Sequence, residues 1–157
     1  MRKFIGVILF WVGWPGLYLL LNNSHRSRVI ISVDNEILFV MNWLGENKYS
    51  LPGGGIKKNE ESINAAIREV YEETGIIINS KNIISINDKI KTRENGISYL
   101  LDLYWVKLDN KVETKSHNLE IIKTTWFKWN QKNISHSLSN NTNILIGIWL
   151  KSQHLID

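Results

Sequence analysis

The order of elements predicts an α+β domain. Three observations carry this: short apolar runs bounded by turn residues lie on both sides of one helix, a glycine-rich loop leads into that helix, and a second helical stretch closes the chain. The 157 residues have the length of one domain, and 43% hydrophobic against 22% charged residues is the composition of a foldable chain. A chain of about 150 residues buries roughly two thirds of its unfolded surface, so its core needs no covalent staples. Cysteine is absent, which excludes a disulfide framework, a zinc–thiolate site and a thiol nucleophile.

Val29–Val33 reads as a strand, Asp34-Asn35-Glu36 as a tight turn and Ile37–Met41 as the returning strand. The stretch from Asn42 to Gly55 is a loop, because Pro52 and the glycines 53 to 55 oppose regular structure. A helix follows, with Ser62 as its expected N-cap. Ile63, Ala66, Ile67, Val70 and Thr74 recur at spacings of three and four, which makes one buried stripe, and Gly75 ends the helix as a C-cap. Further strands are expected at Ile83–Lys89, Ile97–Val106 and Thr124–Trp129, and a helix over about Thr142–Lys151.

Ahead of this domain, residues 1–27 form a separate segment, leaving 28–157 as the main domain. Its apolar run, Phe4 to Leu21, holds no charge and is flanked by Arg2 and Lys3 on one side and Arg26 and Arg28 on the other. Eighteen helical residues reach about 27 Å, just short of a hydrocarbon core of about 30 Å. Gly13-Trp14-Pro15-Gly16 weakens a straight helix at its centre. A kinked membrane span, a re-entrant segment and a helix docked on the domain all fit; in the membrane readings Trp11, Trp14 and Tyr18 are the interface anchors. No small-x-small site follows the run, which speaks against a cleaved signal peptide.

The 19 basic residues exceed the 15 acidic ones by four, and the pI is near 9.3. The lysines are scattered and form no basic tract, so a stable nucleic-acid partner is not expected.

The chemistry is concentrated between Gly54 and Ile76. Glu69, Glu72 and Glu73 stand at i, i+3 and i+4, on one helical face away from the apolar stripe. Three such carboxylates repel one another unless the face is solvated or binds a hard cation, and oxygen ligands suit Mg²⁺ or Mn²⁺. The spacing by itself leaves both readings open.

Gly54, Glu60, Arg68, Glu69, Val70, Glu72, Glu73, Gly75 and Ile76 together match G-x5-E-x7-R-E-U-x-E-E-x-G-U, with U apolar. This run resembles the Nudix box of the MutT-like pyrophosphohydrolases. The resemblance covers about residues 28 to 130, and it implies an α/β/α sandwich around a mixed sheet, with the N-terminal apolar helical segment outside the common core. It also implies hydrolysis of a nucleoside diphosphate linked to another moiety. By similarity Glu72 and Glu73 are the main metal ligands, Glu69 is a third ligand or the base that takes the water proton, and Gly54 offers its carbonyl. Arg68, counted with the catalytic set, is expected to pair with Glu60 and so hold the loop against the helix; Gly75 belongs to the structural part of the motif.

Family members often add a carboxylate from a later loop. Glu113 and Glu120 are the candidates, and Glu120 is preferred because Glu120-Ile121, six residues before Trp126-Phe127, is similar to a segment often seen late in the family. Trp43 and Tyr49 precede the glycines and suit either base stacking or a plug at the loop base. His25, His117, His136 and His154 show no metal-ligand spacing. The expected activity is therefore Mg²⁺-dependent cleavage of a pyrophosphate linkage in a small nucleotide, Mn²⁺ being an alternative ion, in the cytoplasm or at the inner face of its membrane. The competing readings are a Nudix-fold nucleotide-binding or regulatory module without turnover, free or attached to a membrane, and a membrane-anchored interaction protein whose fold displays a surface.

Overall fold

The computed structural model describes residues 22, 24–43, 48–94, 96–117, 120–129 and 135–153. The Phe4–Leu21 run lies outside them; among the described residues no helix is long and apolar enough to cross a membrane.

Among the described residues, six strands and two helices follow in the order β1 (Ser24–Val33), β2 (Glu36–Asn42), β3 (Tyr49–Ser50), α1 (Ser62–Thr74), β4 (Ile84–Glu94), β5 (Ile97–Lys107), β6 (Ile121–Lys128), a 3₁₀ turn (Ser135–Ser137) and α2 (Asn140–Gln153). The sheet runs β3-β2-β1-β5-β4, and β6 pairs with β2 off this path. It is mixed: β1 and β5 are parallel, and the remaining pairs are antiparallel. A central strand covered on both faces must be apolar on both, and Val29 to Ile31 have no exposed surface. Val29, Ile31, Leu38, Tyr104 and Val106 face α1, where Ala66 and Val70 complete one core. Ile30, Ile37, Phe39, Leu101 and Leu103 face the opposite way, where Leu145, Ile146 and Trp149 of α2 complete the second. These two cores make the α/β/α sandwich.

Several boundaries differ from the sequence reading. β1 begins at Ser24, because residues 24–32 pair along β5 although their first part is polar. β4 extends to Glu94, and β6 starts at Ile121 and ends at Lys128. The loop before the glycines contains the two-residue strand β3, which borrows its order from Val40 and Met41 of β2. Glu61, not Ser62, is the N-cap of α1, and it makes no side-chain capping bond. The helical backbone already includes Ser62, so its hydroxyl is one residue too far along to cap. At the other end Gly75 takes the left-handed conformation, φ 75°, and its N–H donates to Tyr71 O at 2.8 Å.

Candidate active site

The glycine loop is stitched to β1 by backbone bonds. Val29 N–H donates to Pro52 O and Ser27 N–H to Gly54 O, both at 2.9 Å, while Ile56 N–H donates to His25 O at 3.0 Å. The contact is close enough to require glycine at 53: a Cβ there would lie 2.2 Å from Ser27 O, and φ is +135°. From the sheet side, the Arg28 guanidinium donates from Nη1 to the carbonyls of Leu51, at 3.2 Å, and Gly53. Sequence reasoning assigned Arg28 only to the basic flank of the apolar run. Its partners lie more than twenty residues away, and no local pattern announces them.

The helix brings its carboxylates to this loop. Glu73 is buried, 5% exposed, and its Oε2 accepts the Gly53 N–H at 2.9 Å. Burial pushes the Glu73 carboxyl up to about 7, against the opposing influence of Arg28 and the Gly53 amide. Glu69 lies against Gly54: a Cβ at Gly54 would come within 2.5–2.7 Å of the Glu69 carboxylate. Glu72 is the most open of the three, with its side chain 41% exposed.

Arg68 organises the junction. Its Nε and Nη2 meet Glu60 Oε1 and Oε2 at 2.8 and 3.0 Å, and Nη2 also donates to Gly55 O at 3.1 Å. Its Nη1 reaches Glu69 at 2.7 Å and Glu72 at 3.4 Å. The Arg68 fork and the Lys57 N–H bring the Glu60 carboxyl down to about 2. The loop–helix pair expected between Arg68 and Glu60 is thus present.

The remaining candidates fall into two groups. Glu120 stands immediately before β6, its carbonyl accepts the Trp43 N–H at 2.9 Å, and its charge is felt at Glu73. Glu113 lies exposed on the segment between β5 and β6. Tyr49 is in the core, edge-on to Phe127 at 5.1 Å between ring centroids, which is the plug arrangement; Trp43 is half-buried beside Glu120. The segment before Glu120 closes the end of α1: Lys115 N–H donates to Thr74 O at 2.9 Å and His117 N–H to Glu72 O at 2.8 Å.

Among the described residues no three His, Asp or Glu side chains converge as a ready-made cation cage. Glu69 and Glu72 lean on Arg68 instead, and Glu73 on Gly53. The donor set nevertheless fits a hard divalent cation: it is all oxygen, and the missing Cβ of Gly54 leaves the Glu69 carboxylate room against the loop. The Gly54 carbonyl already accepts Ser27 N–H, so one lone pair remains for any other partner.

A mixed-sheet sandwich that presents an acidic helix to a glycine loop defines the class of protein. Comparison then gives the family: the model described as NUDIX domain matches residues 23–141, and the chain belongs to the Nudix family. It is 30% identical over 103 residues to mRNA decapping complex subunit 2 of Schizosaccharomyces pombe, covering 64% of this chain and 14% of that protein. It is 36% identical over 81 residues to an RNA pyrophosphohydrolase of Bartonella henselae, covering 48% of this chain and 36% of that protein. The chain thus spans much less than two thirds of these relatives' length. In fold it is similar to a bifunctional NMN adenylyltransferase/ADP ribose pyrophosphatase of Francisella tularensis complexed with AMP and a Mn ion. That likeness has a TM-score of 0.72 and 19% identity, over 90% of this chain and 46% of the other.

Proposed function

We propose that this protein is a Mg²⁺-dependent hydrolase, able to use Mn²⁺, that cleaves a pyrophosphate linkage in a small nucleoside polyphosphate or nucleoside diphosphate derivative. The observation that carries this reading is the meeting of Glu69, Glu72 and Glu73 on one helical face with Gly54, whose missing side chain makes space for the Glu69 carboxylate. A pyrophosphate is itself anionic, so an acidic face accepts it only with cations between them. Glu72 and Glu73 would hold the ion, joined by the Gly54 carbonyl and by Glu120 from immediately before β6. When bound, the ion supplies charge neutralisation, polarisation of the phosphoryl group and a more acidic water.

Glu69 then takes the proton of the attacking water, or serves as a third ligand. For either role its carboxylate leaves Arg68 Nη1, while Nε and Nη2 keep Arg68 anchored on Glu60. Gly75 supports the site indirectly, by letting α1 end at Thr74 through a left-handed cap. Two relatives that share this fold or sequence bear names ending in pyrophosphohydrolase or pyrophosphatase, which supports the bond class. A cytoplasmic location belongs to the same reading, since nucleotide substrates and Mg²⁺ are available there.

A panel of nucleoside polyphosphates, dinucleotides and nucleoside diphosphate sugars, assayed for phosphate, pyrophosphate and nucleoside monophosphate release with Mg²⁺ and with chelator, tests the proposal. Release that requires the divalent ion is expected for at least one of them. Binding of nucleotides with no release on any member of the panel would favour the non-catalytic module.

A further inference from the structure

The run Gly53-Gly54-Gly55 has no side chain with which to fix its own backbone, and glycine has the largest conformational freedom to lose. Yet this run must hold a definite direction, because the Gly53 amide faces the buried Glu73 carboxylate. Both polar groups of Gly53 are engaged: its N–H donates to Glu73 Oε2 at 2.9 Å, and its C=O accepts from Arg28. Arg28 also holds Leu51 O, two residues earlier, so one planar guanidinium grips both ends of the Leu51–Gly53 turn. Arg28 stands on the central strand β1, whose backbone is itself bonded to Pro52 and whose Cα would be only 2.9 Å from a Cβ at Gly53. The chain of contacts runs from the buried centre of the sheet, through Arg28 and Gly53, to Glu73.

We propose that Arg28 is a positioning residue for the divalent cation: it fixes the Gly53 peptide, and through that amide it sets the orientation of Glu73 as a ligand. The inference rests on the metal-dependent reading of the site. Arginine suits the task because its planar guanidinium holds the one Nη1 that meets both carbonyls in a fixed orientation, whereas an ammonium on a flexible stem turns freely. Supporting groups of this kind typically change metal affinity by about 10- to 100-fold when removed.

The test measures Mn²⁺ affinity from the electron paramagnetic resonance signal of free Mn²⁺ for wild type, Arg28→Lys, Arg28→Met and Glu73→Gln, and for Arg28→Met combined with Glu73→Gln. Melting in chelator monitors the fold, and Arg28→Lys serves where Arg28→Met does not melt cooperatively. About a tenfold loss of Mn²⁺ affinity is expected in folded Arg28→Met, with a smaller loss in Arg28→Lys. In the Glu73→Gln background the same change should alter Mn²⁺ affinity less than about twofold, because two members of one chain of contacts are not additive. Activity should follow as a raised KM for Mg²⁺ with kcat restored at saturating ion. A folded variant that binds Mn²⁺ like wild type, or an equal loss in both backgrounds, overturns the proposal for Arg28. A wild-type protein that binds no Mn²⁺ overturns the metal-dependent reading itself, which is a distinct result.

Discussion

Arg68 and Glu60 form a two-pronged ion pair, Nε–Oε1 at 2.8 Å and Nη2–Oε2 at 3.0 Å, across the junction between the glycine loop and the acidic helix. Glu60 also accepts the Lys57 N–H at 2.8 Å, so one carboxylate closes the loop turn and anchors the helix. Its carboxyl is held near 2 in the fold against an ordinary value of 4.5. Such a group adds stability above the unfolded value and loses it as pH falls through the folded one. Glu60→Gln should therefore lower Tm by a few degrees at pH 7, and the deficit should shrink as pH falls below 4.5 towards 2. Melting curves of both proteins over that range check it. A deficit independent of pH would show that the pair's charge is unimportant.

The adjacent glycines separate stability from function. At Gly53 an added Cβ meets the Ser27 backbone oxygen at 2.2 Å, which cannot retreat without moving β1, and φ is +135°. Gly53→Ala should cost on the order of 3 kcal/mol, read from denaturant unfolding. At Gly54 the three atoms nearest the Cβ all belong to the carboxylate end of the flexible Glu69 side chain. Gly54→Ala should keep Tm within a few degrees of wild type while activity falls by at least about tenfold, as expected when a reacting group is displaced by about 1 Å. The reverse ranking of the two variants in Tm would contradict the geometry.

Glu73 is a buried carboxylate, which the metal-free fold tolerates only at a cost. Glu73→Gln keeps an oxygen for the Gly53 N–H and removes the charge. In chelator this variant should melt at or above the wild-type Tm at pH 8. Wild type should gain about 2.7 kcal/mol from Mg²⁺ at a hundredfold excess over Kd, and the variant little. Calorimetry with and without Mg²⁺ decides. An equal gain in both would remove Glu73 from the metal site.

Glu69 and Glu61 are a matched pair of controls. Glu69 sits between Arg68 and Gly54, whereas Glu61 is the exposed residue ahead of α1, with Asn64 Nδ2 at 3.4 Å as its partner. Glu69→Gln should lower kcat by about 10² to 10⁴ with KM little changed if Glu69 is the base. Glu61→Gln should stay within about twofold, as surface substitutions away from a site do. Steady-state kinetics on the substrate found in the panel measures both, and wild-type turnover in Glu69→Gln would rule out its role as base.

Asp102 gives a structural prediction away from the site. It is buried in β5, with Oδ2 2.9 Å from His25 Nε2 and Oδ1 accepting the Lys89 N–H at 2.8 Å, where φ of Lys89 is 55°. Burial acts to raise its carboxyl, but the hydrogen bonds outweigh this and hold it below the ordinary 3.8. Its contribution is thus present above pH 3.8 and lost below it. Asp102→Leu leaves the Lys89 N–H without its acceptor and His25 without its ion-pair partner, and should destabilise the fold by about 2–4 kcal/mol at neutral pH. Denaturant unfolding checks the size. A loss below about 0.5 kcal/mol, the range of an ordinary surface change, would show that these groups find other partners.

The local features were legible from spacing alone. Three- and four-residue periodicity places Glu69, Glu72 and Glu73 on one face, because the helical repeat is a property of the backbone; Gly75 ends the helix for an equally local reason, its positive φ. Arg68 and Glu60 are eight residues apart on one loop–helix unit, so the motif itself brings them together. Contacts between distant segments were decided by tertiary structure. Ser24–Ser27 carries no strand pattern and becomes β1 only because β5 offers it a ladder; β3 exists only against β2. That Glu73 is buried while Glu72 is open depends on where Gly53 lies, and Gly53 lies where β1 and Arg28 hold it. Period and propensity act over a few residues, whereas the burial of a carboxylate and the aim of an amide depend on segments that meet only when the sheet has formed.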